Sequence, residues 1–96
     1  MKIIVSYDVA TTTPNGRKRL RRVAKSCQNY GVRVQFSVFE CSVAPKDWLK
    51  LRASLLSIIN EEEDSLRFWF LGDDEAQKTE HHGVRKPLDL DGPLVF

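Results

Sequence analysis

The stretch Val32-Arg33-Val34-Gln35-Phe36-Ser37-Val38-Phe39-Glu40-Cys41-Ser42-Val43 decides how this chain is read. It alternates as a strand does, but the alternation changes phase part-way. Val32, Val34, Phe36 and Val38 share one parity, whereas Phe39, Cys41 and Val43 share the other. Successive side chains on a strand point to opposite faces, so a phase flip demands a bulge or a tight reversal, here between Phe36 and Val38. The stretch is expected to form two short strands with a sharp change of direction between them.

Working outward, residues 2–8 also alternate, with Ile3, Val5 and Tyr7 on one face and Ile4, Ser6 and Asp8 on the other. The turn-rich segment Thr11-Thr12-Thr13-Pro14-Asn15-Gly16 follows and supplies candidate helix caps. From Arg17 the period becomes helical, with Leu20, Val23, Ala24, Cys27 and Tyr30 on one side and Gly31 as a left-handed stop. Pro45 and Asp47 suit the first turn of a second helix, marked by Trp48, Leu51, Leu55, Ile58 and Ile59. That helix is expected to end in the acidic run Glu61-Glu62-Glu63-Asp64, where the dipole is unfavourable and the last turn should fray. Residues 66–71 form an aromatic strand closed by Gly72-Asp73.

The order is β-α-β-β-α-β, the split unit of a ferredoxin-like α+β fold, with two helices on one face of an antiparallel sheet. Polar residues run from Asp74 to Gly92 before the apolar end Pro93-Leu94-Val95-Phe96. That end is expected to be an extra short strand that pairs with an exposed edge, its own or a partner's. The 96 residues therefore read as one domain, with a core over 1–73 and an extension over 74–96.

Composition excludes several classes. Both charge signs are abundant, and no apolar run approaches the roughly 20 residues that span a bilayer. The opening Met1-Lys2-Ile3-Ile4-Val5 lacks the h-region and cleavage site of a signal peptide, so a cytoplasmic, non-membrane protein is expected. Cys27 and Cys41 form no C-x-x-C; a disulfide stays open on sequence, but buried free thiols are the reading adopted. The net charge of +2 says little about partners. Its distribution says more: Arg17, Lys18, Arg19, Arg21, Arg22, Lys25 and Arg33 fall in one stretch with no acid among them. A solvated helix face is the bland account of such a run. Its single sign makes a phosphate-binding surface the better one.

Asp8 is the first candidate for chemistry. An acid at a strand's end either starts the turn through its own hydrogen bonds or meets a ligand. One carboxylate with waters and phosphates is a weak magnesium site. A two-fold dimer bringing two copies of Asp8 together would supply a pair that needs a cation between them. His81 and His82 are taken as exposed loop residues, since neighbours on an extended chain point apart and no other spacing completes a zinc site. Phe68, Trp69 and Phe70 look like an RNA-stacking platform, but at least two should be core or interface residues.

Ile-Ile-Val-Ser-Tyr7-Asp8-Val resembles the hydrophobic first strand ending in Tyr-Asp of the CRISPR-associated "Cas two" family. Arg33-Val34-Gln35-Phe36-Ser37-Val38-Phe39-Glu40 resembles that family's most recognisable stretch, and Arg-Arg-Val-Ala-Lys with Asn29-Tyr30-Gly31 is similar to its first helix. The tail from Glu80 to Phe96 looks like that of members accompanying subtype I-C systems. The resemblance implies a ferredoxin-like homodimer whose C-terminal strands reach onto the partner's sheet. It implies Asp8 as a magnesium ligand, with manganese as a substitute, and Arg33, Ser37 and Phe39 as the other catalytic positions, supported by Tyr7. It also implies metal-dependent endonuclease activity on single-stranded RNA or double-stranded DNA, and a bridging role for the Cas one integrase during spacer acquisition.

Three readings follow: an endonuclease with Asp8 as metal ligand, an adaptor that lays duplex DNA across a basic surface without physiological catalysis, and a metabolite-binding regulatory module. The last would need glycine-rich effector turns, and the Arg-rich first helix argues against it.

Overall fold

A computed structural model describes residues 1–72 and 78–84. Strand β1 (Lys2–Asp8) leads into helix α1 (Pro14–Gln28), followed by β2 (Gly31–Gln35), β3 (Val38–Ser42), helix α2 (Pro45–Ile58), β4 (Ser65–Leu71) and β5 (Lys78–Gly83). The strands form one antiparallel sheet in the order β2-β3-β1-β4-β5. This is the expected ferredoxin-like α+β arrangement, widened by one strand beside β4.

The phase flip is resolved as a reversal. Residues 36 and 37 turn the chain between β2 and β3, and the register shifts between Arg33 and Gln35. Across the sheet Ile3 pairs with Cys41 and Phe70, and Val5 with Phe39 and Phe68. These inward residues form the core with Val23 and Cys27 of α1 and Trp48, Leu51 and Leu55 of α2. Trp48 meets Phe68 and Phe70 edge-on, with ring centroids 4.7 and 5.5 Å away, which pins α2 to β4. The opposite face carries Ile4, Ser6 and Trp69, and no helix of the described residues covers it. Of the aromatic triplet, Phe68 is fully buried and Phe70 packs against the core. Trp69 faces the other way under Arg67, whose guanidinium lies 5.8 Å from its ring.

Several expectations need correcting. Helix α1 begins at Pro14 rather than Arg17, because the Thr13 hydroxyl accepts a hydrogen bond from the Gly16 amide at 3.1 Å and proline fixes the first turn. Gly31 does not end that helix in a left-handed conformation; Asn29 closes it, and Gly31 opens β2. Its lack of a side chain matters through close approach, since a Cβ there would sit 2.5 Å from the Glu40 carbonyl oxygen. Helix α2 stops at Ile58, before the acidic run, so no carboxylate burdens its last turn. His81 and His82 are not loop residues: they lie half-buried in β5, opposite Arg67 and Leu66. The terminal segment Pro93–Phe96 and the acids Asp73, Asp74 and Glu75 lie outside the described residues.

Asp64, the last acid of the run after α2, is fully buried. Its carboxylate accepts from the Ala10 amide at 3.0 Å, the Asn60 amide at 2.8 Å and the Arg19 Nε at 2.8 Å. Its backbone oxygen accepts from the Val84 amide at 2.9 Å. Gly83, with φ of 91°, passes so close that a Cβ would lie 2.0 Å from that oxygen. Strand β5 is held further by Arg52 of α2, whose Nε donates to Glu80 at 2.7 Å, while His82 also contacts Glu80.

Burial alone would push the Asp64 carboxyl up, but the hydrogen bonds from Arg19, Asn60 and Ala10 outweigh it and hold it below the ordinary aspartate range. Glu80 is likewise lowered, burial being outweighed by His82 and Arg52. With folded-state values below the unfolded ones, both groups stabilise the fold fully above their unfolded values near pH 4 to 5, roughly, and lose that contribution as the pH falls through the folded values. Asp64→Asn is expected to cost about 1–3 kcal/mol at neutral pH, because it sets a neutral amide with its own N–H donors among the donors that face Asp64, while Glu63 still answers the Arg19 charge. Urea midpoints at pH 7 and pH 3 check this, and the variant should lose less stability than the parent between the two.

Candidate active site and nucleic-acid interface

β1 carries Asp8 to the edge of the core. Alternation turns Tyr7 inward, 3 % exposed, and Asp8 outward to the uncovered face with Ile4 and Ser6. The Tyr7 amide donates to the Ser37 carbonyl oxygen at 3.1 Å, tying the β2–β3 turn against the end of β1. The result is an open hollow of about 420 Å³ lined by Asp8, Ser37, Ser6, Thr11, Leu20 and Phe36, among others. Among the described residues Asp8 is the only acid in that lining. Among them, too, no three His, Cys, Asp or Glu side chains gather as a metal site. The donors present, the Asp8 carboxylate and the aliphatic hydroxyls of Ser6, Thr11 and Ser37, are hard oxygen ligands of the kind magnesium accepts beside water and phosphate. They would bind it weakly from one chain.

Arg33 does not line the hollow. Its guanidinium lies 5.1 Å from the Phe39 ring centroid and 5.7 Å from that of Phe36, and it acts on the Tyr7 hydroxyl. Burial pushes the Tyr7 hydroxyl up, with Arg33 working against it, so Tyr7 is a neutral phenol. Phe39 is fully buried and stacked on Tyr7 with centroids 6.2 Å apart, so it supports Arg33 and Tyr7 from beneath and offers no surface to a substrate. Of the four expected catalytic positions, Asp8 and Ser37 are brought together, Arg33 stands behind Phe36, and Phe39 is part of the floor.

The basic helix divides in two. Arg17, Lys18, Arg21, Arg22 and Lys25 are exposed along one side of α1, spaced so that i and i+4 neighbours align. Arg19 departs from expectation. Its side chain is 14 % exposed and is engaged by Asp64 at 2.8 Å and Glu63 at 2.9 Å. It belongs to the Asp64 ion pair, which commits its charge within the fold. The free thiols Cys27 and Cys41 are buried as expected. Burial pushes Cys27 up to about 12 and Cys41 to about 11, so neither is a thiolate nucleophile at neutral pH.

Residues 1–79 match the family described as "CRISPR associated protein Cas2". This chain belongs to that family. It is similar to the "CRISPR-associated endoribonuclease Cas2" of Chlorobaculum tepidum, 57 % identical over 96 residues that cover all of both chains. It is 50 % identical over the whole of both chains to the "CRISPR-associated endonuclease Cas2" of Halalkalibacterium halodurans. The crystal structure of Streptococcus pyogenes Cas2 at pH 6.5 superposes with a TM-score of 0.70 at 55 % identity, covering 77 % of this chain and 89 % of that one.

Sequence reasoning missed Phe36 as a lining residue, because its parity grouped it with Val34 and Val38 as an ordinary strand hydrophobe. It also missed Thr11, which only the fold of the β1–α1 loop brings beside Asp8. Both thiols are expected to stay unmodified by a maleimide at pH 8 until denaturant is added, then to react together, as mass spectrometry would show.

Proposed function

We propose that this chain is a CRISPR adaptation protein that binds nucleic acid as a homodimer and hydrolyses a phosphodiester bond at the Asp8 hollow. The observation that carries the reading is the exposed Asp8 carboxylate sharing one hollow with Ser37 at the end of β1, between the β2–β3 turn and Leu20 of α1. The nuclease names borne by highly similar relatives support it. Magnesium, or manganese in its place, would be held by Asp8, and when bound it would supply Lewis-acid polarisation and a more acidic water. The chain's own groups do the rest. The Ser37 and Thr11 hydroxyls orient a phosphate oxygen or water, exposed Arg33 beside Phe36 neutralises phosphate charge, and Tyr7 with Phe39 positions its guanidinium. With one acid in the hollow, a two-fold dimer that juxtaposes two Asp8 side chains would complete the cation site.

A second role rests on a different observation, the exposed basic side of α1. It suits duplex backbone contact that needs no Asp8, as an adaptor bridging the Cas one integrase in the cytoplasm would require.

Asp8→Asn should lower metal-dependent cleavage by about 100-fold or more while leaving fold and strand binding intact, as followed on labelled oligonucleotides with and without EDTA. Full cleavage by a rigorously purified variant would sink the catalytic assignment. Replacing Arg17, Arg21 and Arg22 with Gln should weaken duplex binding and flatten its dependence on log salt by about 0.9 for each phosphate no longer neutralised. The same change at Arg19 should show first as a loss of stability.

A further inference from the structure

We propose that Phe36 is a stacking residue for an unpaired nucleobase, and that it makes the Asp8 hollow favour single-stranded over duplex nucleic acid. The inference rests on reading that hollow as the phosphodiester site. An isolated exposed aromatic is common on protein surfaces. What distinguishes Phe36 is its surroundings. The ring is 75 % exposed at the β2–β3 turn, while Val38 and Phe39 just after it are buried. The Arg33 guanidinium lies 5.7 Å from its centroid, and the ring forms part of the wall shared with Asp8 and Ser37. An exposed ring with a cation over one face, in a hollow that hydroxyls also line, suits one nucleotide: the base stacks on the other face, and the phosphate reaches Arg33 or Ser37.

The turn is also held in place. Its link from the Tyr7 amide to the Ser37 carbonyl fixes it to β1, so the ring is presented by a paired backbone rather than by a loose loop. The hollow, at about 420 Å³, lies near the lower end of the roughly 300–1,000 Å³ range for small-ligand sites. That is room for a splayed-out nucleotide. In a duplex each base is already stacked and paired, and withdrawing one costs free energy that a single strand does not spend. Stacking reads no base edge, so little sequence preference is expected.

The test uses the full chain and an eight-nucleotide RNA carrying 2-aminopurine, with a blunt duplex as comparator, in EDTA so that binding is read without cleavage. Phe36→Ala and Phe36→Leu should weaken single-strand binding by about 5- to 150-fold, the range measured for one base on an aromatic ring. Both should abolish the quenching of 2-aminopurine, while Phe36→Trp restores both signals and duplex affinity stays unchanged. Single-strand binding by Phe36→Leu at the parental level would overturn the proposal, as would an equal loss on duplex. So would a change of oligomeric state in light scattering that accounts for the loss, since a second copy would then be what covers the ring. Asp8→Asn separates the two readings. Cleavage lost there with stacking retained supports both, whereas cleavage lost there with no effect of Phe36 on binding leaves the catalytic reading standing and removes this one.

Discussion

The fold turns on a single buried carboxylate. Asp64 sits where four segments meet: the loop after β1 at Ala10, helix α1 at Arg19, the chain leaving α2 at Asn60, and the start of β4. Taking a carboxylate out of water costs several kcal/mol, and that cost is offset only when its oxygens are fully hydrogen-bonded. Here two backbone amides and a guanidinium satisfy them, and no buried side-chain polar atom among the described residues lacks a partner. The geometry that meets this requirement sets the loop carrying Thr11, the angle of α1 and, through the Val84 amide, the end of β5. The hollow around Asp8 inherits its walls from those placements.

The same constraint sorts the basic residues. Arg19 lies within a run of like charges, yet its charge is neutralised inside the fold, while Arg17, Arg21 and Arg22 keep theirs for solvent or phosphate. Arg33 is held differently, by aromatic faces rather than by an acid. An arginine paired with a carboxylate has its charge answered; one resting on rings keeps it available to a phosphate. That difference separates an arginine committed to the fold from one whose charge no acid answers among the described residues.

Much of this architecture is legible in the amino-acid order. Alternation in residues 2–8, the phase flip before Val38 and helical spacing from Leu20 to Cys27 yield the element order, because each reports a local periodicity that burial enforces. Asp8 is legible as an outward acid, since strand parity alone opposes it to Tyr7. Strand β5 is not legible. Lys78-Thr79-Glu80-His81-His82-Gly83 has no apolar alternation, and it becomes a strand because the edge of β4 offers hydrogen bonds and Arg52 offers Glu80 a partner. Local propensity is silent about such edges.

The amino-acid order alone settles the first six elements, the faces of β1, the basic side of α1 and membership of the Cas2 family, all carried by short-range pattern or direct similarity. Tertiary structure decided which charges are committed and which residues share a site. Asp64 and Arg19 are separated by 45 positions and become partners only when the connection from α2 to β4 reaches α1. Asp8, Thr11, Phe36 and Ser37 meet only because an amide on β1 finds a carbonyl in a distant turn. Periodicity describes a residue's own element; long-range pairing depends on how elements close on one another, and one sequence read along its length carries no direct record of that.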